Sequence, residues 1–313
     1  MDKTRQFEAI TQTVRKHIPK KLRRSPHGYR FIFPWLFIRE DLLTHALTDR
    51  WYLEKLGISR WRLLRDLYLR KKFHTPLECD AEVIFYKKSS VRFFLKEQGV
   101  VHKVFFTNEI RALETFENEL RWRELFAPYV PTVKVLEKES ASLVERISPG
   151  ERVQEHQFVN TPRLIDHAFE TLLQILRVHP YRRGDDDGIL YGTLHGDFQV
   201  HNLLWDPQRK QFVVLDWERA GHYPVLWDLF LFFYKLFDKN KIYRSSRLRR
   251  KTEALTAEYL QRFADELELD NDEMHRQLNA CEKIYLSLYG EKTSSKNPIT
   301  HAMRMHMMQK AMR

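Results

Sequence analysis

The stretch "LHGDFQVHNLLWD", residues 194–206, decides how this chain is read. Its Leu, Phe, Val and Trp residues are the material of a buried segment, yet His195, Asp197, His201 and Asn202 interrupt them. Polar side chains in such a run cost free energy unless something answers them. Further on, "FVVLDWERAG" repeats the pattern: an apolar, strand-like run ends on Asp216, with Glu218 two residues later.

Outward from these stretches the chain changes character several times. Residues 160 onward read as mostly helical, with "PVLWDLFLFFYKLF" a largely buried helix and 252–267 and 272–290 amphipathic. The basic run "KIYRSSRLRRK" (241–251) reads as an exposed connector. Upstream, "AEVIFY", "SVRFFL" and "VVHKVFF" are short β-rich runs separated by turn residues, a meander of antiparallel strands. Residues 109–126 carry Ile110, Leu113, Phe116, Leu120 and Phe126 at helical spacing, and "TVKVLE" and "ASLVERI" are two further strands ending at Pro149-Gly150. Residues 1–78 are basic and aromatic, with helical periodicity in 41–57 and 61–73. Three regions follow: a basic, mostly helical N-terminal extension (1–78), a small sheet lobe with one crossing helix (79–149), and a larger helical lobe (150–313).

Composition narrows the class. A chain of 313 residues with 43% hydrophobic and 13% aromatic content builds a sizeable core, and two lobes suit its length. Two distant cysteines, Cys79 and Cys281, make neither a disulfide scaffold nor a zinc site, which fits a reducing cytoplasm. The charged N-terminus has no apolar core of the kind a secretory signal needs. The apolar run "FIFPWLFI" (31–38) contains Pro34 and falls far below the roughly 20 residues of a membrane span. It reads as a core segment, with a peripheral membrane contact left open by the preceding "RKHIPKKLRR". The net charge of +11 favours anionic partners.

Asp197, Asn202 and Asp216 together offer hard oxygen donors suited to Mg²⁺. Lys103, in the strand "VHKVF", has an apolar-flanked stem and a head able to meet a phosphate, and Glu117 or Glu119 on the next helix could hold it. Such a set serves phosphoryl transfer. "HGDFQVHN" followed by "VVLDWE" and "GHYPVLWDL" resembles the aminoglycoside phosphotransferase and choline kinase family, from about residue 80 to about residue 235. The resemblance implies an α+β, protein-kinase-like bilobal fold and an ATP- and Mg²⁺-dependent kinase acting on the hydroxyl of a small molecule or sugar.

On that resemblance Asp197 orients the acceptor hydroxyl and takes its proton. Asn202 and Asp216 hold the metal, with Glu218 as a second acid. Lys103 meets the nucleotide phosphates, held by Glu117 in preference to Glu119. Glu145, Arg146 and Ile147 stand at the hinge that meets adenine, and His195 and Asp228 brace the loop. No glycine-rich phosphate loop separates the first strands; the turn is "YKKSS", where Ser89 and Ser90 stand in. The basic charge, with Arg244, Arg247, Arg249, Arg250 and Lys251 in the larger lobe, argues against a polycationic antibiotic and for an anionic or surface-bound acceptor, such as a glycolipid or lipopolysaccharide-type sugar. The acidic runs 185–187 and 265–273 weigh the other way. A nucleotide-binding pseudokinase is the second reading. A nucleic-acid partner has no zinc spacing, recognition helix or RNA-binding aromatic motif behind it.

Overall fold

The computed structural model describes residues 3–32, 35–43, 73–87, 89–107, 110–148, 150–185, 187–237, 245–294, 305–306 and 308–310. The helices expected over 41–57 and 61–73 fall almost wholly outside these. The chain divides into two units, one of Met1–Glu117 with Val133–Arg152, the other of Asn118–Thr132 with Val153–Arg313.

The first unit is built on one antiparallel sheet of eight strands: β1 (His27–Ile32), β2 (Leu36–Arg39), β3 (His74–Leu77), β4 (Val83–Tyr86), β5 (Ser90–Leu95), β6 (Val100–Phe105), β7 (Val135–Glu139) and β8 (Ser142–Arg146), in the order β3-β1-β2-β4-β5-β6-β8-β7. The five expected strands are β4 to β8. The other three come from residues assigned above to a mostly helical extension, and here the structure differs. Alternation explains the difference. Tyr29 and Phe31 point to one face of β1 and are fully buried. Phe31 continues across the sheet in a row with Phe37, Ile84, Phe93 and His102. Helix α1 (Lys3–Lys16) covers that row with Phe7, Ile10 and Val14. The Phe7 ring lies 5.3 Å from Phe31 and 5.4 Å from Phe73. Burying each such aromatic contributes roughly 1.5–3 kcal/mol. The edge strands resist further pairing: β3 carries Pro76, and β7 exposes Glu137, Lys138 and Glu139. A short strand, β9 (Glu151–Arg152), ends the unit.

Helix α2 (Ile110–Phe126) contributes its first half to this unit and its second half to the other. The second unit continues with α3 (Glu155–Asn160), α4 (Pro162–Arg177), β10 (Arg182–Arg183), β11 (Leu190–Leu194), β12 (Leu203–Asp206), β13 (Gln211–Val214), β14 (Gly221–Pro224), α5 (Trp227–Phe237), α6 (Ser246–Glu266) and α7 (Asn271–Ser294). Helix α5 is the buried centre, with Phe230, Leu231, Phe233, Tyr234 and Leu236 fully enclosed. The connector expected over 241–251 is helical from Ser246, because Ser245 Oγ accepts the Leu248 N–H and caps the helix. Among the described residues no helix is long and apolar enough to cross a membrane.

Candidate active site

The odd polar residues of 194–206 have partners. Strand β11 pairs with β14, and the hairpin β12–β13 carries the chain back so that Leu215 N–H meets Asn202 C=O at 2.9 Å. The 195–202 loop and the 216–219 turn therefore lie side by side. His195 is fully buried, and desolvation holds its pKa down. Its Nε2 donates to Leu215 C=O (2.8 Å), and its Nδ1 accepts the Asp197 N–H (3.3 Å). The carboxylate of Asp228, on α5, accepts the backbone N–H groups of His195 (2.8 Å) and Gly196 (3.0 Å). Burial pushes that carboxyl up to about 6. Both residues brace the loop.

Gly196 sits at φ +76° beside the Arg219 carbonyl. Asp197 follows it, half-buried. Its Oδ1 accepts from Gln199 Nε2 (2.9 Å) and its Oδ2 from Asn202 Nδ2 (3.2 Å), while Asn202 Nδ2 also meets the Asp197 carbonyl (2.9 Å). With its amide nitrogen committed to Asp197, Asn202 has its amide oxygen as the atom suited to a cation. Desolvation raises the Asp197 pKa; the Arg219 guanidinium pulls it down and Asp216 pushes it up.

Asp216 adopts φ 65°, ψ 59°, left-handed backbone that costs a non-glycine residue roughly 1 kcal/mol. The bend places its carboxylate beside those of Glu218 and Glu119, all three ligand atoms within 4.8 Å of one another. Asn118 fastens the second half of α2 here, donating to the carbonyls of Glu218 (2.8 Å) and Ala220 (3.2 Å) and accepting from Trp122 Nε1 (2.6 Å). Three carboxylates so close are an oxygen-rich donor set of the kind Mg²⁺ prefers.

The turn also presents Arg219, whose guanidinium lies 5.3 Å from the Tyr289 ring centroid and donates to its hydroxyl. Lys235 Nζ stands 4.9 Å from the same centroid. Nothing in the sequence pattern singled out Gln199 or Arg219.

The small-unit residues fared unevenly. Lys103 is 1% exposed on β6, its Nζ 4.8 Å from the Phe105 ring centroid. Of the two glutamates, Glu117 is exposed, whereas Glu119 is 1% exposed and paired with Arg123. The buried stripe of α2 runs through Ala112, Phe116, Glu119, Arg123 and Phe126, while Ile110 is 78% exposed. A hydrophobic pattern passes over a charged pair inside such a stripe. Ser90 is fully buried at the start of β5, so its hydroxyl is withdrawn from the loop surface; Ser89, half-buried, lies in a tight turn closed by Lys87 N–H on Ser90 C=O (2.8 Å). At the expected hinge, Arg146 N–H is spent on Lys134 C=O and Ile147 N–H on Gly99 C=O. Strand β8 lies inside the sheet, which takes those donors, and Glu145 pairs with both Val101 and Val135. The acidic run 265–273 is also engaged: Glu266 meets Arg177, Glu273 meets Arg183, and Asp270 caps α7.

Residues 190–271 match the model of the phosphotransferase enzyme family. A comparison with curated proteins found no match. Among solved structures the chain is similar to an aminoglycoside phosphotransferase from Streptomyces rimosus (14% identity, 62% of this chain and 89% of that one, TM-score 0.44). It is similar also to a choline kinase from Streptococcus pneumoniae (12% identity, 72% and 90%, TM-score 0.43). A third is an amicoumacin kinase in complex with AMP-PNP and Ca²⁺ (13% identity, 73% and 87%, TM-score 0.41). Asp197, Asn202, Asp216 and Asp228 all lie within the segment that matches the phosphotransferase enzyme family model.

Proposed function

We propose that this protein transfers the γ-phosphate of ATP, with Mg²⁺, to a hydroxyl of a small molecule or sugar. The observation that carries the proposal is the fixing of Asp197: both carboxylate oxygens are bound by neighbouring amides, and the backbone on either side of it is tied down through His195 and Asp228. A carboxylate held in one orientation positions an acceptor hydroxyl and takes its proton as the phosphoryl group arrives. Positioning contributes more than proton abstraction in a loose transition state.

Asn202, Asp216 and Glu218 are the residues proposed to hold the metal, with Glu119 beside the last two. The ion, when bound, neutralises charge on the nucleotide phosphate oxygens. On the small unit, Lys103 is the proposed phosphate contact. The whole-chain charge says little about the acceptor. Of the +11, +10 belongs to the first unit, with twenty-eight Lys and Arg against eighteen Asp and Glu, and +1 to the second.

The test is ADP release across sugars, sugar phosphates, amino alcohols, aminoglycosides and glycolipid acceptors, beside melts with and without ATP and Mg²⁺. Asp197→Ala and Asp216→Ala are expected to lower turnover by at least roughly 10³-fold while keeping the fold. A nucleotide shift with no transfer to any acceptor favours the pseudokinase reading. No shift at all ends both.

A further inference from the structure

The positive charge of the first unit is concentrated and held rigid. No acidic residue occurs between Glu8 and Glu40, while Arg15, Lys16, Lys20, Lys21, Arg23 and Arg24 fall within ten residues. This segment is no flexible tail. Val14, Ile18 and Leu22 anchor it in the core of the unit, at 0%, 7% and 4% exposure, so the six cations stand outward on a folded backbone. Some are answered: Lys21 meets Glu137 (2.5 Å), Arg24 meets Asp80 (3.1 Å), and Arg15 donates to Thr75 Oγ1 and Pro76 C=O. Lys16, Lys20 and Arg23 are exposed and meet no carboxylate among the described residues.

We infer that this face, the end of α1 and the turn after it, is a docking surface for an anionic lipid bilayer. Fixed, desolvation-free cations suit a diffuse layer of headgroup phosphates, each Lys or Arg near such a surface adding a comparable increment of attraction. Single-stranded nucleic acid fits less well: it needs aromatic platforms for stacking, and the ring inside this segment, His17, packs against Phe106 at 4.7 Å. The inference does not depend on the phosphotransferase reading.

The experiment is co-sedimentation of the full chain with phosphatidylcholine vesicles, with or without about one third phosphatidylglycerol, at low and high salt. Wild type is expected to partition onto the anionic vesicles alone and to leave them as salt rises. The triple variant K16Q/K20Q/R23Q, all surface positions, is expected to melt like wild type and to lose about 100-fold in partition coefficient. Asp197→Asn is expected to bind vesicles like wild type, which separates this surface from the catalytic site. Equal binding to neutral vesicles, or a triple variant that still partitions like wild type, overturns the inference. So does tighter binding to a duplex or single-stranded oligonucleotide than to the vesicles, lost in the same variant.

Discussion

Replacing Gly196 with alanine probes the loop geometry most directly. Two costs add at this position. The φ of +76° costs an L residue roughly 1 kcal/mol. The new methyl would also run into the Arg219 carbonyl, 2.9 Å from its carbon, and come within 2.8 Å of Tyr223 Cε2. Tyr223 stacks on Trp227, rings 5.5 Å apart, and its hydroxyl donates to that same carbonyl, so neither neighbour yields easily. Overpacking of this kind costs about 1–3 kcal/mol. If the loop moves instead, its N–H groups leave Asp228 and Asp197 shifts, and a displacement of roughly 1 Å lowers turnover about 100-fold. Gly188→Ala is the control. It has φ +64° and open space around it, so only the backbone cost applies, roughly 1 kcal/mol. Urea unfolding and ADP release on both variants supply the readout. G196A is expected to lose about 2–4 kcal/mol or most of its turnover, and G188A neither. If G196A unfolds and turns over like G188A, the close approach of loop and turn is refuted.

Three further outcomes follow from the same geometry. Arg219 pulls the Asp197 carboxyl down against desolvation, so Arg219→Met should move the acid limb of kcat/KM to higher pH; a limb that stays put or moves lower contradicts that electrostatic link. The carboxyl of Asp228 is raised from 3.8 to about 6 in the fold, so its contribution to stability is fully present below 3.8 and is lost as pH rises through about 6. That amounts to about 3 kcal/mol. Asp228→Asn should remove this slope, and denaturation curves of the two proteins that stay parallel over that window would count against it. Phe7→Ala uncovers part of the aromatic row under α1 and should cost the first unit about 2–3 kcal/mol, seen in thermal melts; an unchanged melt would mean α1 holds the sheet without it.

The hydrogen-bonded loop of residues 195–202 was legible because its chemistry is local. His195, Asp197 and Asn202 stand where an apolar run makes polar groups conspicuous, and the partners that satisfy them, Leu215 and Asp228, lie within about 35 residues in sequence. The first three strands were not legible: β1 and β2 form a local hairpin across residues 33–35, but the partners on their other sides are remote. β1 meets β3 across the whole of residues 33–73, and β2 meets β4 from residues still further on. Glu119 was named beside Glu117 but ranked second for another reason. Its burial is decided by Arg123 and by the Asn118 anchor, so apolar spacing on α2 pointed past it. The Ser90 and Ile147 expectations assumed solvent-facing loop ends, whereas strand pairing continues through both.

The order of the sheet has a consequence for shortened forms of the chain. In the full protein the row of strands stops at Pro76 on one side and at the charged residues of β7 on the other. A fragment starting after residue 77 would stop instead at β4, "VIFY", a run with neither proline nor charge. An unguarded border of that composition recruits other chains strand by strand. Fragments trimmed to the expected lobe boundary should therefore be recovered as insoluble, β-rich aggregates.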